Sequence, residues 1–484
     1  MRPRELLWAD PGVYQRRHTK SALALIAVGR TLAEDRSLAR GSGEFLSLLE
    51  GMSSADPQHF TRIWSDPVAY FWVRRAMHFM AGCRGEPLGT VERAYCAETG
   101  AANPVHALEA HLREFKRFAL ALATVSGQGI AFSEPYVAAL PLALPGTDLV
   151  LTGNGRAAIT GASGDAIQLI DPRRTIAIED RASGERAHAG VRVERCPTVA
   201  VGDSRVFLNP ARFRLPGIGF PIDWTEMPLA FQSRHLSTVV EAVDAIRQLQ
   251  PMTFAHMEQA LHTIALRPSD RTFFNISASE LPGAFVCTVP SDAYALASTF
   301  IHEFHHNTLF AIEESGVFLE PGEQDELEGE NHYSPWVDTL RPLHGILHAV
   351  YVFLPVFRFW FAAIEGGALD EMRFAYAREQ VARIPVQLRI GVNQLRRHAR
   401  FTQIGSMLFE ELASEVAEVE RLAQATGATL RTAVMGLSPS GALLPVRRGD
   451  RNLTVGEAML EHMMKTDLSD ECIEERSALA RQVG

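Results

Sequence analysis

The sequence predicts an α+β protein that is mainly helical, with a small antiparallel β region between two helical parts. Three observations support this fold class. Apolar residues recur at helical spacing over residues 1–135, and again over residues 226–484. Between them, residues 136–225 are rich in Gly and Pro and carry short alternating apolar runs separated by turns. We therefore expect a helical N-terminal region, an antiparallel β region and a helical catalytic region.

The first two regions contain recognisable elements. Helical spacing is clear near residues 22–28, 45–50 and 69–80, and one long helix is predicted over Val105–Val125. Antiparallel pairing is expected in the β region, because no helix of crossover length separates its strands. The predicted strands cover residues 148–152, 166–170, 175–179 and 191–195.

A loop in the β region loosely resembles a dinucleotide-binding motif. Gly153, Asn154 and Gly155 follow a predicted strand. A dinucleotide-binding loop needs a helix directly after it, so that the phosphate meets the helix N-terminus. Turn- and strand-forming residues follow here instead, and Asn154-Gly155 is a hairpin signal. We predict a hairpin turn and no nucleotide site.

The C-terminal region returns to helical spacing. Helices are predicted over Ser237–Leu249 and Phe254–Leu266, from about Leu340 onward, and as a long C-terminal pair. The stretch Leu343–Ile364 is long and apolar enough to raise the question of a membrane span. It contains two His, one Pro and one Arg, so a buried core helix is the better interpretation.

Composition narrows the classes of function. The net charge of −10 argues against non-specific binding to nucleic acid, which needs a basic surface. Five scattered cysteines without a C-x-x-C pair indicate a reducing compartment and no disulfide framework. The first residues lack the apolar segment of a signal peptide. We expect a soluble cytoplasmic protein that contacts neither nucleic acid nor membrane.

The most informative motif is His302-Glu303-x-x-His306. Ser291 or Asp292 can cap a helix that runs without Gly or Pro to Ile312. On that helix the two histidines lie one turn apart on one face and can bind one ion, with Glu303 beside them. Polar groups in a buried helix need partners, which a metal would supply; a hydrogen-bonded structural cluster is the alternative.

A catalytic site needs a third protein ligand. Leu309 and Ile312 exclude the metzincin pattern, which requires Gly and His at those positions. A thermolysin-like site would take a Glu from a second helix. The nearby acids lie mostly in an acidic loop, and none is in an obvious apolar helix: Glu313, Glu314, Glu320, Glu323, Asp325, Glu326, Glu328 and Glu330. The better candidates are His344 and His348, four apart in a predicted helix with Arg341 on roughly the same face.

At these residues the chain resembles a known family. The matching segments are Leu281-Pro-Gly-Ala-Phe-Val, Ala297-Ser-Thr-Phe-Ile-His-Glu-Phe-His-His, Ser334-Pro-Trp, and Leu340-Arg-Pro-Leu-His-Gly-Ile-Leu-His-Ala. They resemble the HEXXH-motif peptide-modification proteins of bacterial pathways that make ribosomally synthesised, modified peptides (RiPPs). The resemblance implies an iron(II)- and 2-oxoglutarate-dependent dioxygenase that hydroxylates the β-carbon of a side chain in a precursor peptide.

The resemblance also implies roles for individual residues. His302, His306 and His348 would bind iron, and Arg341 would bind the 2-oxoglutarate carboxylate. The resemblance does not fix the roles of the other residues. We expect Glu303, in the catalytic site, to orient a ligand or a bound water. We expect His344 to contact a ligand, and His305 to pack or form a hydrogen bond. Four further arginines are rival anchors for 2-oxoglutarate: Arg383, Arg389, Arg396 and Arg397.

Two other functions stay open from the residues alone. In a zinc metallopeptidase, Glu303 would deprotonate a zinc-bound water and a carboxylate from residues 313–330 would complete the site. In a peptide-binding protein with a structural metal, His344 would close a four-ligand site. The third ligand separates these possibilities: His348 favours the oxygenase, and a carboxylate favours the peptidase.

Overall fold

A computed structural model of the chain is mainly helical with small sheets, which confirms the predicted α+β fold class. It describes residues 12–35, 38, 42–163, 166–171, 174–179, 191–218, 227–268, 275–320, 332–337, 340–367, 369–426, 435–437, 443–445, 447–448 and 451–452. The acidic residues 321–330 lie outside the described residues, so the loop predicted there is not described.

Seven of the described helices precede the strands. They are α1 Gly12–Glu34, α2 Ser42–Ser53, α3 Pro57–Trp64, α4 Pro67–Cys83, α5 Thr90–Thr99, α6 Pro104–Arg113 and α7 Lys116–Ser126. The predicted single helix Val105–Val125 is wrong, because the chain turns between α6 and α7. No Pro or Gly causes this break. Phe115, at the turn, is buried against Phe45 and Trp72, with ring centroids 4.8 and 5.0 Å away, so tertiary packing decides it.

Twelve of the described strands form two antiparallel sheets and one mixed sheet. Four short strands farther along the chain form two antiparallel pairs: β13 Met435–Leu437 with β14 Leu443–Pro445, and β15 Arg447–Arg448 with β16 Arg451–Asn452. The antiparallel sheets have the orders β1-β4-β5-β6 and β2-β3-β7, as expected for this region. Their strands are β1 Ile130–Ala139, β2 Leu142–Ala143, β3 Leu149–Gly153, β4 Arg156–Ser163, β5 Ala166–Asp171, β6 Arg174–Glu179 and β7 Val191–Arg195. The turn at Asn154-Gly155 joins β3 to β4, and no helix follows it. The hairpin prediction is wrong, because β3 and β4 belong to different sheets.

The mixed sheet was not predicted. Its order is β11-β12-β10-β9-β8, and β10 pairs in parallel with both β9 and β12. The strands are β8 Thr198–Val201, β9 Ser204–Leu208, β10 Thr263–Arg267, β11 Ile276–Ser277 and β12 Ala284–Thr288. The predicted helix Phe254–Leu266 is confirmed as far as Ala260, where the helix ends, and is wrong beyond it, because a strand begins at Thr263.

This sheet separates two hydrophobic cores, and that position explains the wrong prediction. Ile264 and Phe285 face a core formed mainly by the C-terminal helices. Ala265 and Val286, the next residues along each strand, face a second core formed with the N-terminal helices and the antiparallel sheets. A strand buried on both faces reads as a continuous apolar run, which periodicity alone cannot distinguish from helix.

The C-terminal core is built from long helices. After α8 Leu229–Arg234, α9 Leu236–Leu249 and α10 Pro251–Ala260 come α11 Ala293–Glu313, α12 Leu343–Glu365, α13 Glu371–His398 and α14 Gln403–Ala425. The last two are the predicted C-terminal pair. Within the part of the chain described, α12 is long and apolar enough to cross a membrane, but 72% of its most apolar window is buried inside the protein. Core helices of soluble proteins have the same length and composition.

Candidate metal centre

The HExxH motif lies in the middle of α11, as predicted. Asp292 caps the helix, since its carboxylate accepts a hydrogen bond from the Ala295 amide at 2.9 Å. Most of α11 is buried, but from His302 onward one stripe remains partly exposed: His302, His306, Phe310 and Glu313. These residues are four, four and three apart, so they share one face of the helix. The motif therefore faces a partly open surface.

The structure places three of the predicted ligands in contact. His302 Nε2 and His306 Nε2 are 3.2 Å apart. His306 Nδ1 is 3.1 Å from Nδ1 of His348, which lies on α12 one turn after His344. Two donors about 2.1 Å from one tetrahedral ion lie roughly 3.4 Å apart, so the His302–His306 spacing fits a shared ion. His348 approaches His306 from the second helix, at Nδ1 of the His306 ring and not at the Nε2 that faces His302.

Two further residues extend this cluster. His348 Nε2 is 3.1 Å from Glu313 Oε1, and His344 Nε2 is 2.8 Å from the same oxygen. Among the described residues, Glu313, His344 and His348 form a group whose ligand atoms all lie within 4.8 Å of one another. His302 and His306 are not part of that group. The five side chains thus form one continuous cluster, which we call the His/Glu cluster.

The expectation about Glu313 was wrong. It was placed with acids of the loop after the helix, but it is the last residue of α11 and faces the histidines. The available signal was its spacing: 7 residues after His306 and 11 after His302 lie close to two and three whole helical turns. The spacing was overlooked because the sequence alone did not show that the helix extends to Glu313.

The two ends of the cluster differ in the charge of their side chains. Burial lowers the pKa of His302 to about 4 and that of His306 well below its ordinary value, which keeps both rings neutral and able to bind metal. Burial alone would raise the pKa of Glu313, but hydrogen bonds from His344 and His348 outweigh it and lower that pKa to about 2. The cluster therefore offers neutral imidazoles and an ionised carboxylate, a donor set suited to zinc or iron.

Glu303 lies behind the cluster. Its side chain is only 4% exposed, and its Oε2 accepts a hydrogen bond from the Ser277 hydroxyl at 2.8 Å. Oε1 is 3.9 Å from His302 Nε2, so it approaches the nitrogen of that ring that faces His306. Burial raises the pKa of Glu303 to about 8, although the Ser277 hydrogen bond lowers it. In the absence of a nearby cation, Glu303 is therefore protonated at neutral pH.

Asn307 fastens the same helix to the mixed sheet. Its side-chain oxygen accepts a hydrogen bond from the Gly283 amide at 2.9 Å, and its side-chain nitrogen donates to the Ala284 carbonyl at 3.3 Å. Gly283 has φ +76°, and a Cβ there would lie 2.1 Å from the Ala260 carbonyl oxygen. Only glycine meets both constraints. The segment 281–286 thus positions α11, the helix that carries the HExxH motif.

Aromatic rings flank the histidines. Phe353 lies edge-on to His302, with ring centroids 4.9 Å apart, and stacks on Trp336 at 5.5 Å. On the other side, the Phe310 ring is 5.0 Å from that of His348. These apolar walls limit water near the cluster and strengthen electrostatic interactions within it.

Arg341 lies at the N-terminal end of α12. Its backbone exchanges two hydrogen bonds with His332, at 2.8 and 2.9 Å, and the residue is exposed. Its positive charge contributes to the lowered pKa of His306, after burial and the neighbouring histidines. Two rival anchors are engaged elsewhere: Arg383 pairs with Glu379 and Arg389 with Glu420, each at 3.0 Å. Arg341 thus lies just before α12 and acts on His306 through its charge.

His305, which lies inside the motif directly before His306, forms a hydrogen bond within α11. His305 Nδ1 donates a hydrogen bond to the Ile301 carbonyl at 2.7 Å, and the residue is buried on the side of α11 away from the cluster.

Comparison with known protein families and with curated proteins finds no match to this chain. The resemblance described above therefore rests on the matching segments themselves.

Proposed function

We propose that this chain is an iron(II)- and 2-oxoglutarate-dependent dioxygenase that hydroxylates the β-carbon of a side chain in a ribosomally synthesised precursor peptide. The observation that carries the proposal is the grouping of three histidines: the Nε2 atoms of His302 and His306 are 3.2 Å apart, and His348 Nδ1 is 3.1 Å from His306 Nδ1. Together with the resemblance in four segments, this grouping supports three histidines as the ligands of iron. We place the protein in the cytoplasm, where its peptide is made.

The roles of the residues follow from their positions. Iron and 2-oxoglutarate, when bound, supply the oxidising chemistry, in which O₂ is consumed and succinate and CO₂ are released. His302, His306 and His348 would hold the metal. Arg341, exposed at the start of α12, would bind a carboxylate of 2-oxoglutarate through its guanidinium. Glu303 would orient a ligand or a bound water from behind His302.

The test is succinate formation after anaerobic reconstitution with iron(II), followed by 2-oxoglutarate and O₂. We expect turnover by the wild type, and a loss of at least roughly 100-fold in His348→Ala, beyond the loss typical of removing a ligand's hydrogen-bond partner. His106→Ala is the matched control, because His106 is exposed on α6, outside the cluster. Succinate formation retained by His348→Ala would exclude His348 as a ligand.

The second candidate is a zinc metallopeptidase. It is favoured by Glu313, a carboxylate from the 313–330 stretch that reaches His348, and by Glu303 Oε1 lying 3.9 Å from His302 Nε2. As a general base, Glu303 would need to lose its proton, and a bound cation would lower its raised pKa. Stoichiometric zinc with peptide cleavage, and no succinate from the iron-loaded protein, would favour this function.

A further inference from the structure

The His/Glu cluster has more metal-binding atoms than one ion can use. The proposed iron position takes its nitrogens from the motif end of the cluster. At the other end, one oxygen of Glu313 faces two imidazole nitrogens, at 2.8 Å from His344 and 3.1 Å from His348. Two histidines and one carboxylate with open positions are the donor set of many non-haem iron(II) sites.

We propose that Glu313, His344 and His348 form a second position for a divalent transition-metal ion, one that adjoins the position on His302 and His306. The three ligand atoms lie within 4.8 Å of one another, so small shifts can bring all of them to one ion. The N–H groups of His344 and His348 now donate hydrogen bonds to the Glu313 carboxylate. With an ion bound, the carboxylate oxygen and the two imidazole nitrogens would bind the ion instead. This inference concerns metal binding only and does not require the proposed hydroxylase activity.

The elements that carry the three ligands favour such a position. His344 and His348 lie one turn apart on α12, and Glu313 ends α11, which packs against α12. Their side chains are 23%, 6% and 20% exposed, respectively. The site is thus anchored on two buried helices, yet it remains accessible to an ion and to water. A closed site with four protein ligands is not needed, because water can complete the coordination.

His348 couples the two positions. Its Nδ1 faces His306 and its Nε2 faces Glu313. A neutral imidazole has one nitrogen with a free lone pair, because the other carries the proton. His348 can therefore bind an ion on one side only, and its second nitrogen donates a hydrogen bond on the other. We infer that the two positions exclude each other and that the chain binds one ion at a time.

The test is a Co(II) titration of the chelator-treated protein by equilibrium dialysis, with the visible absorption spectrum as a second readout. We expect one Co(II) per wild-type chain. The double variant His302→Ala/His306→Ala, which lacks the motif position, should still bind one Co(II). Adding Glu313→Gln to it should weaken binding by at least roughly tenfold. His106→Ala again serves as the control.

Two outcomes would overturn the proposal. A double variant that is folded by circular dichroism and binds no Co(II), while the wild type binds one, would remove the second position. Two Co(II) per wild-type chain would remove the exclusion. If the alanine variant does not fold, His302→Asn/His306→Asn takes its place. No 2-oxoglutarate is present, so a failure of the proposed hydroxylase would appear only in the succinate assay.

Discussion

Two residue pairs on α11 have the same spacing and opposite surroundings. His302 and His306 face α12 and the His/Glu cluster, where they contact other ligand-type side chains. Glu303 and Asn307, one residue later, face the mixed sheet, where they contact Ser277 and the segment 281–286. One residue on an α-helix rotates a side chain by about 100°. That rotation separates a pair that offers nitrogens to a metal from a pair that fastens the helix.

The comparison shows that the role of Glu303 depends on what surrounds its side chain and not on the HExxH motif alone. Glu303 has one oxygen on the fastening side, at Ser277, and the other 3.9 Å from a candidate metal ligand. It lies at the boundary between the two functions of the helix. Variants of each pair should therefore change different properties: activity for the histidines, stability for Asn307, and the pH dependence of stability for Glu303.

The largest effect is expected for His306→Ala. Loss of the central nitrogen donor should lower succinate formation by at least roughly 100-fold, because a ligand contributes more than its hydrogen-bond partners do. The free energy of unfolding should change by less than about 1 kcal/mol, since His306 is only partly buried. Activity measured beside a urea unfolding curve checks both statements. A large loss of stability would place His306 among the fastening residues.

Asn307→Ala should have the reverse effect. Its side chain satisfies the Gly283 amide and the Ala284 carbonyl inside the protein, and both would lose that partner. We expect the free energy of unfolding to fall by about 2–4 kcal/mol, because buried polar groups without partners are costly. Metal stoichiometry of the folded fraction should not change. Full stability in the variant would show that the sheet does not depend on this contact.

The smallest effect is the pH dependence of Glu303→Gln in chelator-treated protein. The pKa of Glu303 is raised from 4.5 to about 8, so the folded state favours the neutral form. Below pH 4.5 the Glu303 carboxyl is protonated in both the folded and the unfolded state, so the stability difference between Glu303→Gln and the wild type does not depend on pH there. Between pH 4.5 and about 8 the unfolded wild type releases a proton that the folded protein keeps, so the wild type loses stability relative to Gln. Urea unfolding at pH 5 and pH 6 should show the gap widening by about 1 kcal/mol, because stability changes by about 1.4 kcal/mol per pH unit inside this window. A gap independent of pH would contradict the raised pKa.

The sequence by itself determined the helices and the motif that local patterns specify. Spacing, the Asp292 cap and the absence of Gly and Pro predicted α11. The C-terminal pair and four of the strands, β3, β5, β6 and β7, were also predicted from local patterns. His348 was singled out from its spacing to His344 and from the resemblance, and the structure brings it to His306. These features depend on residues close together in the chain.

Only the tertiary structure decided the rest. β10 was read as helix, because a strand buried on both faces has no alternation to show. The turn at Phe115 depends on rings from α2 and α4. Glu313 belongs to the cluster because the end of α11 lies beside His344 and His348 of α12. Each of these outcomes depends on contacts between residues distant in sequence, whose energies exceed the local preferences of the chain.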